Sequence, residues 1–374
     1  MKIESISVHA GQEIECGFGA LTKPIYLTST YERNADGSYP HGYQYSRNDN
    51  PNRKALEDCI SHLEYGEDAA AFSSGSAAVM SVVQALSPGD HIIAPEDMYY
   101  GIKEQLTKIF VPWGIELTFT DMTDVRNVET SMKTNTKMIM IETPSNPMIK
   151  VVDIGKVSNI IKGKNIILLA DNTAATPVLQ NPIALGADLV IHSTTKSLGG
   201  HSDVLGGIVI TKEKNDLWEK IRFIQRIGGA VPSPFECWLA LRGINTLAYR
   251  VRAQSESAMK IALYLDSHPK IGVVHYPGLE NNPFHEIAEN QMNGFGGLMS
   301  FQMTDAGAEK AMKVAAGLEL ITRATSFGGT HTVIEHRASI EAEGTTTPQN
   351  LLRLSVGLEN TDDLLADLDQ ALVD

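Results

Sequence analysis

Cysteine is scarce in this chain: Cys16, Cys59 and Cys237 are widely spaced, with no CxxC pair and no histidine at metal-ligand spacing. That excludes a disulfide framework and an ordinary zinc site, and leaves inert thiols as the expectation. Basic charge is in deficit too, with 31 Lys and Arg against 45 Asp and Glu and a formal charge of −14. A nucleic-acid surface would need clustered positive charge, so no nucleic-acid partner is expected. The global sign says little about a small-molecule cleft, whose local charge can oppose it. No apolar run approaches the roughly 20 residues that cross a membrane, and the N-terminus shows no basic segment followed by an apolar one. A cytoplasmic protein without a membrane partner is expected.

What is present is a globular composition, 43% apolar and 20% charged, in a chain long enough for two domains. Short apolar segments bounded by turn residues read as buried strands at 69–72, 91–94, 115–119, 138–141, 165–170, 187–191 and 206–210. Helical stretches between them predict an α/β fold with a mostly parallel sheet. Asn50 followed by Pro51 starts a helix, and Leu56, Cys59, Ile60 and Leu63 share one face of it. Residues 1–50, rich in Gly, Tyr, Asn and Pro, read as an extended arm that needs a partner surface. Residues 51–243 then form the large domain and 244–374 a smaller C-terminal α/β domain, with a strand at 297–301 and a helix at 306–316. One long helical pattern from Ser233 to His268 joins the two.

The chemistry gathers around Lys196. It follows a buried strand and sits among Ser193, Thr194 and Thr195; there a partly desolvated amine can lose its proton and form a Schiff base with a carbonyl, most often that of pyridoxal phosphate. A solvated surface lysine is the competing reading. Asp171 ends the preceding strand, where open α/β sheets place ligands, and a carboxylate there would keep a pyridinium nitrogen protonated. At residues 73–78, SSGSAA at a strand-to-helix turn lets backbone N–H groups of Gly75 and Ser76 approach a phosphate. Arg353 lies inside an apolar strand, and a buried guanidinium calls for an anion, either a ligand or a structural salt-bridge partner.

The run ADNTAATP at 170–177 and HSTTKSLGGHSDV at 192–204 resemble the pyridoxal-phosphate enzymes of cysteine and methionine metabolism, which include cystathionine γ-synthase, cystathionine γ-lyase and methionine γ-lyase. The likeness runs nearly end to end, from VHAG at 8–11 to LSVGLE at 354–359. It implies the fold-type I architecture and a homodimer or homotetramer whose active sites are shared between subunits. Tyr45 and Arg47 would then reach across to the cofactor phosphate of the neighbouring subunit. Tyr99 would stack on the pyridine ring and assist proton movement, and Tyr100, where relatives often carry glycine, would narrow the pocket mouth. Asn146 would lie near the cofactor and the incoming carboxylate, which Arg353 and Ser326 would bind. Glu142 is read as structural, holding its turn through backbone hydrogen bonds.

Two positions depart from the relatives. Enzymes that handle cystathionine carry acidic residues where this chain has Gln44 and His331. Losing two carboxylates weakens recognition of a distal ammonium, and His331 would tolerate a negative group there or would simply be a satisfied histidine. The expected activity is therefore γ-replacement on an O-acylhomoserine by a thiol, as in a cystathionine γ-synthase. The alternatives are γ-elimination to 2-oxobutanoate and ammonia, transamination, and a non-catalytic binding protein. His192 and His201 flank Lys196 without acidic or cysteine partners, so hydrogen bonding is expected of them in place of metal binding.

Overall fold

A computed structural model of the chain describes residues 1–14, 17–304, 307–341 and 345–372. Cys16 and Ala306, the latter at the start of an expected helix, lie outside these residues.

Seven strands form the larger sheet: β1 (Asp68–Phe72), β2 (His91–Pro95), β3 (Glu116–Thr120), β4 (Thr136–Glu142), β5 (Ile167–Asp171), β6 (Leu189–Ser193) and β7 (Gly207–Thr211). Their order is β1-β7-β6-β5-β4-β2-β3, and only β7 runs against its neighbours. Apolar residues alternate between the two faces because strand side chains do. Along β4 and β5, Met138, Met140 and Leu169 enter one core, while Ile139, Ile141, Leu168 and Ala170 enter the other. Each fully buried Ile or Leu contributes about 1.5–3 kcal/mol, so covering both faces with helices fixes the strand register.

The smaller sheet comprises β8 (Ile271–His275), β9 (Leu298–Met303), β10 (Thr322–Arg323), β11 (Val333–His336) and β12 (Leu351–Ser355) in the order β10-β11-β12-β9-β8. It has its own core, which includes Phe301, Ile334, Leu352 and Leu354.

Two expectations need correction. The first residues are not extended: Ile3–His9 is a helix, with Ile6 buried and Ile3 and Ala10 packed against the main core. Its apolar residues recur at helical spacing, and the irregular arm begins only after it. The pattern from Ser233 to His268 is two helices, Pro234–Ile244 and Leu247–Ser267. At the break the Gly243 carbonyl accepts from Thr246 N and Thr246 Oγ1, each at 3.3 Å, in place of a continuing helical bond. Arg250 Nη2 donates to the Gly243 carbonyl at 2.8 Å and Arg250 Nε to Thr246 Oγ1 at 3.1 Å.

Arg250 also donates through Nη1 to the Ser197 carbonyl at 2.9 Å, strapping the turn that carries Lys196. Gly243 lies against that same turn, where an added Cβ would collide with the Gly199 carbonyl. The helix thus approaches the lysine turn more closely than any other residue type would permit.

Candidate active site

The ends of β4, β5 and β6 come together at one edge of the larger sheet. Glu142 stands beside Asp171 in the β4–β5 register, and Asp171 beside Ile191 in the β5–β6 register. Lys196 follows three residues past the end of β6. A cavity of about 200 Å³ opens here. Of the residues singled out from the sequence, Gly75, Ser76, Tyr99, Glu142, Asn146, Asp171, Ser193, Thr195, Lys196, Ser326 and Arg353 line it.

Lys196 is mostly buried, and its Nζ donates to Ser326 Oγ at 2.8 Å while lying 4.7 Å from the centre of the Phe327 ring. Burial, followed by the positive charges of Arg353 and Arg337, lowers its pKa to about 8. A lysine so held reaches its neutral, nucleophilic form near physiological pH. Asp171 is partly buried at the end of β5, and desolvation raises its pKa, opposed by the Thr173 hydroxyl and backbone N–H and by the charges of His192 and Lys196. Its Oδ1 accepts from Thr173 N at 3.0 Å. Glu142 is pushed well up, first by burial and then by the charge of Asp171 beside it. It accepts the Tyr99 backbone N–H at 2.8 Å and so holds the turn, as expected.

The start of helix Gly75–Gln84 faces the same space. Ser74 caps it, its hydroxyl accepting from Ala77 N at 3.1 Å. An added Cβ at Gly75 would lie 3.0 Å from the Ser193 Cβ, so the strand-to-helix turn packs closely on the end of β6. Exposed N–H groups at a helix start favour a phosphate. The cavity therefore offers a partly buried carboxylate, a desolvated lysine and a phosphate-favouring helix start, and this donor set fits pyridoxal phosphate.

At the opposite end, Arg353 is 3% exposed. It donates to Asn146 Oδ1 at 2.9 Å, the Ser326 carbonyl at 2.9 Å and Glu335 Oε2 at 2.8 Å. Burial pulls its pKa down to about 10, so it stays cationic at neutral pH. It thus has a structural carboxylate partner, Glu335, and also lines the cavity.

The other residues stand elsewhere. Tyr45 and Arg47 pair with each other, with the guanidinium 5.7 Å from the ring centre, and Arg47 donates to the Arg226 carbonyl. Neither lines the cavity of its own chain. His331 is exposed and does not line it either; its ring nitrogen lies 3.4 Å from Thr330 Oγ1. Tyr100 is a correction as well. It opens helix Tyr100–Gln105, packs its ring edge-on to that of Tyr99 with the ring centres 5.6 Å apart, and lines a neighbouring cleft with Glu96 and Lys103 in place of the cavity. His192 Nε2 is 2.6 Å from Glu64 Oε1 inside the core, and His201 Nδ1 is 2.8 Å from the Gly199 carbonyl. Cys59 and Cys237 are buried free thiols, and burial pushes Cys59 up to about 12.

Among the lining residues not singled out are Phe327, Thr173 and Arg337. Phe327 and Thr173 sit inside motifs already read, one residue from Ser326 and two from Asp171. The only signal for Arg337 is its alternation with Glu335 at the end of an apolar run.

A mostly parallel sheet with a partly buried aspartate and a desolvated lysine at adjacent strand ends defines a fold-type I pyridoxal-phosphate enzyme. Comparison narrows the class: the profile of the Cys/Met metabolism PLP-dependent enzymes matches residues 4–373, and the chain belongs to that family. It is 41% identical to a cystathionine β-lyase of Coxiella burnetii, covering 99% of this chain and 97% of the relative. It is 43% identical to a cystathionine γ-lyase of Bacillus subtilis, covering 100% and 99%. A cystathionine γ-synthase of Mycobacterium leprae is 41% identical, covering 98% and 95%. The crystal structure of metB from Corynebacterium glutamicum matches with a TM-score of 0.97 at 42% identity, covering 100% of this chain and 98% of that one. The protein is thus a pyridoxal-phosphate-dependent enzyme of sulfur amino-acid metabolism, in a family whose members include synthases and lyases.

Proposed function

We propose that the enzyme carries out γ-replacement on an O-acylated homoserine, exchanging the acyloxy group for a thiol. The observation that carries this is the charge of the cavity wall. Its lining carboxylates are Glu142 and Asp171, both at strand ends on the cofactor side; the other end presents Arg353 and Arg337. Among the described residues this wall offers no further carboxylate for the distal ammonium of cystathionine as an electrophilic substrate, whereas an acyl ester needs no such partner.

Pyridoxal phosphate, when bound, supplies an electron sink conjugated to the substrate α-carbon. Asp171 would keep the proton on its ring nitrogen, and Ser193, Thr195, Gly75 and Ser76 would hold its phosphate. Arg353, aided by Asn146 and Ser326, would bind the α-carboxylate through paired hydrogen bonds. Lys196, freed by the substrate amine, would take the proton from Cα and then from Cβ, which allows the group on Cγ to depart. Tyr99 stands on the same wall to restrain the ring and assist the leaving group. Tyr45 and Arg47 do not line the cavity of their own chain, so we infer that a second subunit presents them, making the working unit a dimer or a dimer of dimers.

The same residues serve γ-elimination, and the lyase relatives are as similar as the synthase, so product analysis decides. Mass spectrometry of the loaded enzyme with O-acetyl- or O-succinylhomoserine plus cysteine should show a new thioether amino acid. Release of 2-oxobutanoate and ammonia from a thioether with no thiol present would make the enzyme a lyase and overturn the replacement reading.

A further inference from the structure

The segment that carries Tyr45 and Arg47 has an anchorage of its own. Between Ala10 and Asn50 the described residues form no helix or strand beyond a single bridge that pairs Thr30 with Tyr45. Backbone polar groups in such a segment still need partners, and buried side chains at the start of helix Pro51–Leu63 supply them. Asn50 Nδ2 donates to the Tyr26 carbonyl at 3.0 Å. Asn52 Nδ2 donates to the Pro24 carbonyl at 2.9 Å, and Asn52 Oδ1 accepts from Tyr26 N at 2.8 Å.

Arg53 does the same for the motif itself. It is 2% exposed, and its Nη1 donates to the Ser46 carbonyl at 2.8 Å and its Nη2 to the Arg47 carbonyl at 3.3 Å. A rigid fork on two successive carbonyls fixes the peptide between them, and with it the direction in which the neighbouring side chains leave the backbone. Asp49 and Glu57 each stand 3.9 Å from the guanidinium. Glu57 is itself held, its Oε1 accepting from Ala71 N on β1 at 2.8 Å and from Gln225 Nε2 at 2.9 Å. Gln225 lies on helix Asp216–Gly228, and the end of that helix receives the Arg47 side chain at the Arg226 carbonyl. Gly229 follows there, where an added Cβ would lie 3.2 Å from Arg47 Cδ. Backbone and side chain of Arg47 are thus referred to one frame, and neither Arg53 nor Glu57 lines the cavity of its own chain.

We propose that Arg53 is a positioning residue for the cofactor site of the neighbouring subunit: by fixing the peptide that carries Tyr45 and Arg47, it sets how firmly the other chain holds the cofactor phosphate. This rests on the shared-site reading above and names the residue that aims the shared arm. A buried arginine that only stabilised its own chain would weaken its own site, so the chain in which the effect falls separates the two roles.

Mixed dimers, purified through a different tag on each chain, test this. Arg53→Met removes the fork and fills the space of its stem, while Lys196→Ala on one chain leaves a single site able to join the cofactor. Apo dimers are titrated with pyridoxal phosphate, and the visible absorbance of cofactor joined to Lys196 reports the affinity of that one site. With both substitutions on the same chain, the competent site faces the altered arm and should bind about tenfold more weakly than in a dimer bearing Lys196→Ala alone, as expected when a charge-assisted grip is misaimed. With the substitutions on opposite chains, the competent site lies in the Arg53→Met chain but faces an unmodified arm, and should bind like that reference. If Arg53→Met chains do not assemble, Arg53→Lys, which keeps a charge beside Asp49 and Glu57 without the fork, should show the same pattern with a margin of about threefold. The reverse pattern, or equal affinity in the two arrangements, overturns the proposal. Arg47→Gln in the same two arrangements tests the shared site itself. If it acts across the dimer and the Arg53 variant does not, only the positioning role falls; if it acts within its own chain or not at all, the shared-site reading falls with it.

Discussion

Asp171 and Lys196 belong to neighbouring parallel strands, and the backbone alone sets their separation, through the β5–β6 register and the turn after Ser193. Arg353 and Arg337 belong to the smaller sheet, and there a shared side chain, Glu335, decides where the charges stand. The cofactor end is therefore rigid by construction, while the substrate end depends on an ion network that one substitution can rearrange. Chemistry common to a family suits the first kind of frame, and substrate choice suits the second.

The sharpest way to break this comparison is to remove the lysine. Lys196→Ala should lower turnover by at least about 10³-fold, since both nucleophile and proton carrier are lost. Product formation measures it, and the apo protein should unfold at nearly the original temperature because the strand frame is untouched. A variant that keeps even a tenth of the activity would show that the rigid end does not hold the chemistry.

The same division explains what could be read without a structure. The lysine, the aspartate and the SSGS turn sit where apolar runs end, so a pattern of runs and turns locates them. All seven strands of the larger sheet fall within about two residues of their expected positions, as is usual for strongly apolar segments. The pairing of Glu335 with Arg353 and Arg337 was hidden because it depends on which strand lies beside β11, and alternation within a strand does not reveal its neighbour. The split at Asn245 and Thr246 was hidden too: the Gly243 carbonyl is taken by Thr246 and Arg250, contacts that a helical pattern does not reveal. His331 differs again: it sits within a motif, and in the single chain its turn presents it to solvent.

Breaking the substrate end should be less severe. Arg353→Leu should raise KM for the amino acid by about 30- to 1,000-fold, the range for truncating one partner of a buried charge pair, with a smaller fall in kcat. Steady-state kinetics separates the two. A loss confined to kcat would mean that Arg353 orders the frame and does not hold substrate.

The two ends also communicate through charge. Lys196 is neutral above a pKa of about 8, and burial leads Arg353 and Arg337 among the causes. The rate at which apo enzyme captures pyridoxal phosphate should therefore rise with pH and level off above about 8, because only the neutral amine attacks. Removing either arginine takes away a repelling positive charge, favours the ammonium and moves the midpoint to higher pH. Stopped-flow absorbance across pH reads this directly, and a midpoint that moves down or stays fixed would show that the two ends are electrostatically independent.

The smallest effect is expected at His331, and it tests where the substrate end stops. An exposed side chain outside the cavity wall has little to lose, so His331→Ala should change kcat/KM for an O-acylhomoserine by less than about threefold, in line with the small cost of surface substitutions. Competition between a neutral and an anionic acyl ester measures any change in preference. A change above about tenfold would mean that a second subunit closes over this turn and carries His331 into a composite site. The substrate end would then be built by two chains as well as by two arginines, and its specificity would depend on protein concentration as the subunits dissociate.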